Sequence, residues 1–241
     1  MISIVIPTLN EADRLPNLLG RLAAEPVAHE LIVVDGGSTD ATVFVARAAG
    51  ARVLRASPGR GQQLAAGVAT ACGDTLLFLH ADSRFPSGGL AQIELALARD
   101  PDCPGGNFRL IFDGDSPFSR WLTGFYAWIR ARGLYYGDSG LFVRRSVYDE
   151  IGGIRPIEVM EDYDFTRRLE RRGRTRCIED PPLVTSSRRF EGRQPYSIVL
   201  GWLEIHALFH LGVSPRLLAR RYESQRRRTH ESFSLVRRVE E

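Results

Sequence analysis

Leu31-Ile32-Val33-Val34-Asp35-Gly36-Gly37-Ser38-Thr39-Asp40 reads as a strand that stops on a carboxylate and turns at once through two glycines. A short unbroken apolar run bounded by Asp and Gly fits a strand covered on both faces, the pattern of a parallel sheet. Ending on Asp35, it delivers charge to the sheet rim, where ligands of open α/β folds bind. Similar wording returns in Leu76-Leu77-Phe78-Leu79-His80-Ala81-Asp82-Ser83.

Working outward, the apolar run 2–6 ends at Pro7, and Asn10 caps a segment with Leu15, Leu18, Leu19 and Leu22 at helical spacing. The unit repeats: a strand over 30–35, a helix capped near Ser38, a strand over 51–55, a helix from about Gly61 to Cys72, and a strand over 75–80. Parallel neighbours need crossovers, so this alternation predicts an α/β fold with a doubly wound, mostly parallel central sheet flanked by helices. After Pro101 the pattern is less regular. Strands are expected over 106–112, 139–144 and 175–179, and helices near 118–131, 146–151 and 161–172. Helical stretches at about 195–211 and 215–229 form a C-terminal extension. No linker or internal repeat marks a boundary, so 1–241 is expected to be one domain with regions 1–100, 101–192 and 193–241.

With 241 residues and 44% hydrophobic content, the chain can bury a sizeable core. Its net charge is only +3, and every one of its 32 basic residues is arginine. Many of these crowd into 167–193 and 216–238, which favours local anion binding over a uniformly basic surface. That charge and the lack of a recognisable module argue against nucleic acid. Cys72, Cys103 and Cys177 form neither a disulfide framework nor a CxxC zinc pattern, as expected in a reducing cytoplasm. No basic n-region precedes a long apolar core, so no secretory signal is expected. The apolar stretch from Tyr196 to Val213 is interrupted by Glu204, His206 and His210 and is short for a spanning helix. The arginines of 216–228 leave peripheral contact with an anionic membrane open.

If the fourth strand lies beside the first, Pro7-Thr8-Leu9-Asn10-Glu11 and His80-Ala81-Asp82 become neighbours, joined by Asp35. A carboxylate-lined crevice receives a phosphate best through a cation, and Asp82 with a diphosphate would suit Mg2+ or Mn2+. Met160-Glu161-Asp162-Tyr163-Asp164 offers a further acid or base, and would equally favour the start of a helix. His206 and His210, spaced i,i+4 on a helix, have no matching acidic partner and read as packing.

In order along residues 2–172, Ile6-Pro7-Thr8-Leu9-Asn10-Glu11, Val34-Asp35-Gly36-Gly37-Ser38-Thr39-Asp40, Arg60-Gly61-Gln62-Gln63-Leu64-Ala65-Ala66-Gly67, His80-Ala81-Asp82 and Glu161-Asp162 resemble the motifs of family 2 glycosyltransferases with the GT-A fold. The resemblance implies a nucleotide-binding half at 1–100, an acceptor half at 101–192 and C-terminal helices at 193–241. It implies that Pro7, Thr8, Asn10, Glu11, Asp35, Gly36, Arg60, His80, Ala81 and Asp82 form the donor site. Asp82 is the implied metal ligand of a DxD motif whose first acid is replaced here by His80, a departure that weakens the metal assignment. Asp162 is the implied catalytic base, with Tyr136, Asp138 and Glu161 on the acceptor and sugar side. Arg188 and Arg189 are implied near the leaving diphosphate.

The activity implied is inverting transfer of a sugar from a nucleotide-diphosphate sugar, UDP-linked, to a small-molecule or lipid-linked acceptor hydroxyl. The wording most resembles the small bacterial arsenosugar-biosynthesis-type branch. Polyprenyl-phosphate glycosyltransferases and non-catalytic nucleotide-sugar binders are the alternatives.

Overall fold

The computed structural model describes residues 1–187, 190 and 194–222. In chain order the elements are β1 (Ile2–Thr8), α1 (Leu15–Ala23), β2 (His29–Asp35), α2 (Thr42–Ala48), β3 (Arg52–Arg55), α3 (Arg60–Val68), β4 (Thr75–Phe78) and α4 (Gly89–Arg99). They continue as β5 (Gly105–Phe112), α5 (Pro117–Arg130), a 3-10 turn (Gly137–Ser139), β6 (Leu141–Arg144), α6 (Arg145–Glu150), α7 (Glu161–Arg172), β7 (Arg176–Thr185) and α8 (Pro195–His210). Residues 215–222 are helical, and the rest of the helix expected to 229 lies outside the described residues.

The strands form one seven-stranded sheet in the order β3-β2-β1-β4-β6-β5-β7. It is mostly parallel, as the alternating pattern predicts; β6 alone runs against its neighbours β4 and β5. Because side chains alternate across a strand, Ile4 and Ile6 of β1 face one layer while Val5 faces the other. The first layer packs α1, α2, α4 and α5 against the sheet through Leu18, Leu22, Ala46, Ile93 and Leu122. The second packs α3, α6 and α7 through Leu64, Val147, Phe165 and Leu169. All seven residues of β1 are buried, as a central parallel strand requires. On α3, a Cβ at Gly67 would lie 2.4 Å from a Val5 methyl, so glycine lets this helix approach β1 closely.

Some boundaries differ from those expected. Strand β4 ends at Phe78, leaving His80 in the following turn, and α3 ends at Val68. Helix α4 was not anticipated, and β7 runs through Pro181 and Pro182 to Thr185. What matters for the site is that β1 lies between β2 and β4, so the loops after these three strands share one rim. Among the described residues, no helix is long and apolar enough to cross a membrane.

Candidate active site

The first wall of the rim is made by two loops that bind each other. The Asn10 side chain, at a positive φ of 54°, accepts the Thr39 amide at 2.8 Å. The Asn10 amide donates to Ser38 Oγ, that of Glu11 to Thr42 Oγ1, and that of Ala12 to Asp40. Beneath them, the buried Gln63 of α3 donates Nε2 to the carbonyls of Thr8 (2.9 Å) and Val34 (2.7 Å), tying the ends of β1 and β2 together. Thr8 and Asp35 are register partners. The Asp35 carboxylate is buried and accepts the amides of Gly37 and Ser38, so it holds the turn that follows its own strand. Pro7, Thr8, Gly36 and Ala81 are buried in the floor, whereas Asn10 is exposed and Glu11, His80 and Asp82 are half-buried.

The second wall comes from the start of α7. Met160 takes a left-handed backbone, φ 65°, immediately before Glu161 and Asp162. A non-glycine residue in that region costs of order 1–3 kcal/mol and is found where surrounding structure fixes it. Here Glu161 is fixed by Arg60, whose Nε donates to Oε1 at 2.6 Å, and the Glu161 side chain is only 1% exposed. Burial raises the Glu161 pKa; Arg60 opposes the shift and the Asp162 charge adds to it. The charge of Glu161 in turn raises the Arg60 pKa, keeping the guanidinium charged. The same guanidinium reaches 3.5 Å from His80 Nε2.

Asp162 accepts the Gly137 amide on Oδ2 at 2.9 Å and the Tyr163 amide on Oδ1 at 2.8 Å. A Cβ on Gly137 would lie 3.2 Å from Asp162 Oδ2 and 3.4 Å from His80 Nε2, so the 3-10 turn lies against both Asp162 and His80. Arg60, His80, Gly137, Glu161 and Asp162 therefore meet at one place. A carboxylate held by two backbone amides keeps lone pairs for a further donor.

Around this cluster stands an aromatic wall. The Tyr136 hydroxyl pairs with His206 Nε2 at 3.0 Å, and that of Tyr163 with His210 Nε2 at 2.9 Å. Burial raises the Tyr136 pKa, with the Asp162 charge as the next cause. Burial lowers the His206 pKa, helped by His210. The two histidines thus pack on tyrosines, as their spacing without an acidic partner suggested. Asp138 is buried and accepts the Tyr126 hydroxyl at 3.2 Å.

Asp82 lines a separate cavity of about 210 Å3, shared with Asp13, Arg14, Asn17, Arg84 and Asp113. No group of three or more potential metal-ligating side chains occurs among the described residues. Arg188 and Arg189 lie outside the described residues. The sequence reading had not singled out Gln63, Gly137 or the His206–Tyr136 contact as parts of the site; of these, Gln63 stands inside a motif it quoted, and Gly137 lies between Tyr136 and Asp138.

An open α/β sheet with carboxylate, guanidinium and imidazole groups gathered at its C-terminal rim has the arrangement in which such folds bind ligands. Residues 3–157 match the model of Glycosyl transferase family 2, and the chain belongs to that family. A PGL/p-HBAD biosynthesis glycosyltransferase of Mycobacterium tuberculosis (strain ATCC 25618 / H37Rv) is 30% identical over 257 residues, covering 99% of this chain and 90% of the relative. An uncharacterized glycosyltransferase of the same organism is 35% identical over 109 residues, 45% of this chain; there the match spans about half, 49%, of the relative's length.

Two solved structures share the fold. The mannosyltransferase PcManGT from Pyrobaculum calidifontis, in complex with GDP-Man and Mn2+, matches with a TM-score of 0.64 at 18% identity, over 97% of this chain and 75% of its own. Glucosyl-3-phosphoglycerate synthase from M. tuberculosis, in complex with Mn2+, UDP and glucosyl-3-phosphoglycerate, matches with a TM-score of 0.54 at 21% identity, over 77% and 70%. These relatives bear on the family and the fold, not on the arsenosugar-biosynthesis-type branch.

Proposed function

We propose that this chain transfers a sugar from a nucleotide-diphosphate sugar, UDP-linked, to an acceptor hydroxyl with inversion, and that Asp162 is the general base. The observation that carries the reading is the anchoring of Asp162 by the Gly137 and Tyr163 amides beside His80 and the Arg60–Glu161 pair. In a single displacement, the acceptor oxygen bonds to the anomeric carbon as the bond from that carbon to the diphosphate oxygen breaks. The acceptor proton passes to Asp162, and the electron pair of the broken bond leaves on the diphosphate. The amide bonds fix the carboxylate before reaction, so little reorganisation is needed when the proton moves.

Arg60 contributes a permanent positive charge on the donor side, with Asn10, Glu11, Asp35 and Asp82 as the other donor-site residues. Tyr136, Asp138 and Glu161 stand on the sugar and acceptor side. Arg188 and Arg189 are assigned to the leaving diphosphate by family resemblance alone. Asp82 is the residue that would hold Mg2+ or Mn2+ carried in on the nucleotide. Such an ion needs only one or two protein carboxylates beside phosphate and water oxygens, and when bound it supplies charge neutralisation for the diphosphate. Residues 1–241 act in this reading as one domain, and three free cysteines suit a cytoplasmic setting.

The decisive variant is Asp162→Asn. It should lower transfer by roughly 10²–10⁴-fold, the range of general-base catalysis, while calorimetry shows UDP binding little changed. Turnover near that of the parent protein would remove Asp162 from the role.

A further inference from the structure

Two helices outside the site present apolar faces to solvent. On α5, Leu122, Tyr126 and Ile129 point into the core, while Trp121 (46% exposed) and Trp128 (54%) point out. Phe118, Trp121, Phe125 and Trp128 form a continuous ladder of stacked rings, with successive centroids 5.6, 5.1 and 6.0 Å apart. On α8, Ile198 and Ile205 are buried, but the opposite face carries Tyr196, Leu200, Leu203 and Ala207, continued by Leu211 just beyond its end, all exposed. Leu200 and Leu203 are 62% and 61% exposed. The two helices are joined through Phe190, whose ring lies 6.0 Å from that of Phe118 and 5.7 Å from that of Trp202.

A helix apolar on both its inward and outward faces is covered on both. Among the described residues, only the inner faces of these helices are covered. Helix α8 has 16 residues, about 24 Å, too short to span a hydrocarbon core of about 30 Å.

We propose that the outer faces of α5 and α8 dock on the surface of an anionic phospholipid bilayer. Charge selects this occupant. Arg120 and Arg132 stand at the two ends of the aromatic ladder, and neither meets a carboxylate among the described residues; Arg120 reaches only the Asp115 carbonyl. Arg132 lies 3.8 Å over the Trp128 ring and bonds the Trp128 carbonyl, presenting a guanidinium above an indole. Indole rings settle at the headgroup boundary, leucines enter the acyl layer, and arginines meet lipid phosphates. This surface differs from the arginine-rich 216–228 segment that the sequence alone suggested. It does not depend on the nature of the donor or on the role of Asp162.

The test is co-sedimentation with vesicles of phosphatidylcholine containing about 30% phosphatidylglycerol, and with phosphatidylcholine alone, alongside sedimentation velocity without lipid. The full chain should bind the anionic vesicles, with a blue shift of tryptophan emission, and bind neutral ones roughly tenfold more weakly or less. Leu200→Ser combined with Leu203→Ser should weaken vesicle binding by roughly tenfold or more while the thermal midpoint and UDP binding are retained. Failure of the full chain to bind either vesicle overturns the proposal. So does a solution dimer that the same double variant dissolves, because the face would then belong to a second copy.

Discussion

Arg60→Met tests whether the second wall of the site depends on a single buried ion pair. The guanidinium bonds Glu161 Oε1 at 2.6 Å, and the carboxylate it serves is 1% exposed with Oε2 buried and unpartnered. Removing one member of a buried pair costs about 3–5 kcal/mol, since the other charge is left without compensation. The Arg60 side chain is 39% exposed, so water replaces part of what is lost and the expected cost sits near about 3 kcal/mol. For a chain of this size that is a fall of roughly 6–12 °C in thermal midpoint.

The penalty should also depend on pH. Glu161 has a folded pKa above its ordinary 4.5, and loss of Arg60 raises it further. Above pH 4.5 the unfolded chain has released a proton that the folded variant still holds. Stability of the variant therefore declines as pH rises through that window, and the penalty is smaller near about pH 5 than near about pH 7.5. Urea titrations of parent and variant at the two pH values measure it. Arg60→Met combined with Glu161→Met should regain most of the loss, because apolar side chains of similar volume replace a buried pair at little cost. A penalty below about 1 kcal/mol, or one equal at both pH values, would refute the reasoning.

Gly137→Ala places a methyl group 3.2 Å from Asp162 Oδ2 and 3.4 Å from His80 Nε2. It should slow sugar transfer by roughly tenfold or more with the thermal midpoint nearly unchanged, and an unaltered rate would show that the turn does not position the base. His206 has a pKa below its ordinary 6.5, held down by burial and His210. The stability associated with its neutral form is present above pH 6.5 and is lost as pH falls through the lower folded pKa. His206→Gln should flatten that acid limb in urea titrations between about pH 6.5 and pH 5, and equal slopes in parent and variant would sink the assignment.

The legible parts of the fold are those whose signal is local. Strands β1, β2 and β4 are built on short, mainly apolar runs, and α7 has its acids in the first turn and arginines in the last, so its ends match the expected 161–172. Helix α4 escaped because Ser87-Gly88-Gly89 reads as a loop, and nothing nearby caps it. Its cap comes from Glu25, whose carboxylate accepts the Gly88 amide at 2.7 Å and the Leu90 amide at 3.1 Å, from more than sixty residues away. Strand β7 reads as broken at Pro181-Pro182 for a similar reason. It is the edge strand beside β5, bridged on its outer side by Arg84 at Val184, and at a sheet edge proline's missing N–H is tolerated.

The site shows the same division between residue type and residue use. Sequence picks out the carboxylates, but hydrogen bonding decides what each does. Asp40 accepts the Thr42 hydroxyl at 2.5 Å and the amides of Thr42 and Ala12, and so joins two loops. Asp35 is occupied by the turn after its own strand. Asp162, like Asp40, takes one of its amide donors from a distant segment: Gly137 belongs to a turn 25 residues upstream. That turn is also where Asp138 receives the Tyr126 hydroxyl of α5 and where the neighbouring Tyr136 meets His206 of α8. The orientation of the acid is therefore tied to the two helices that carry the exposed apolar faces. A shift of α5 or α8 would act on Asp162 through the Gly137 amide, a link invisible in the spacing of the residues involved.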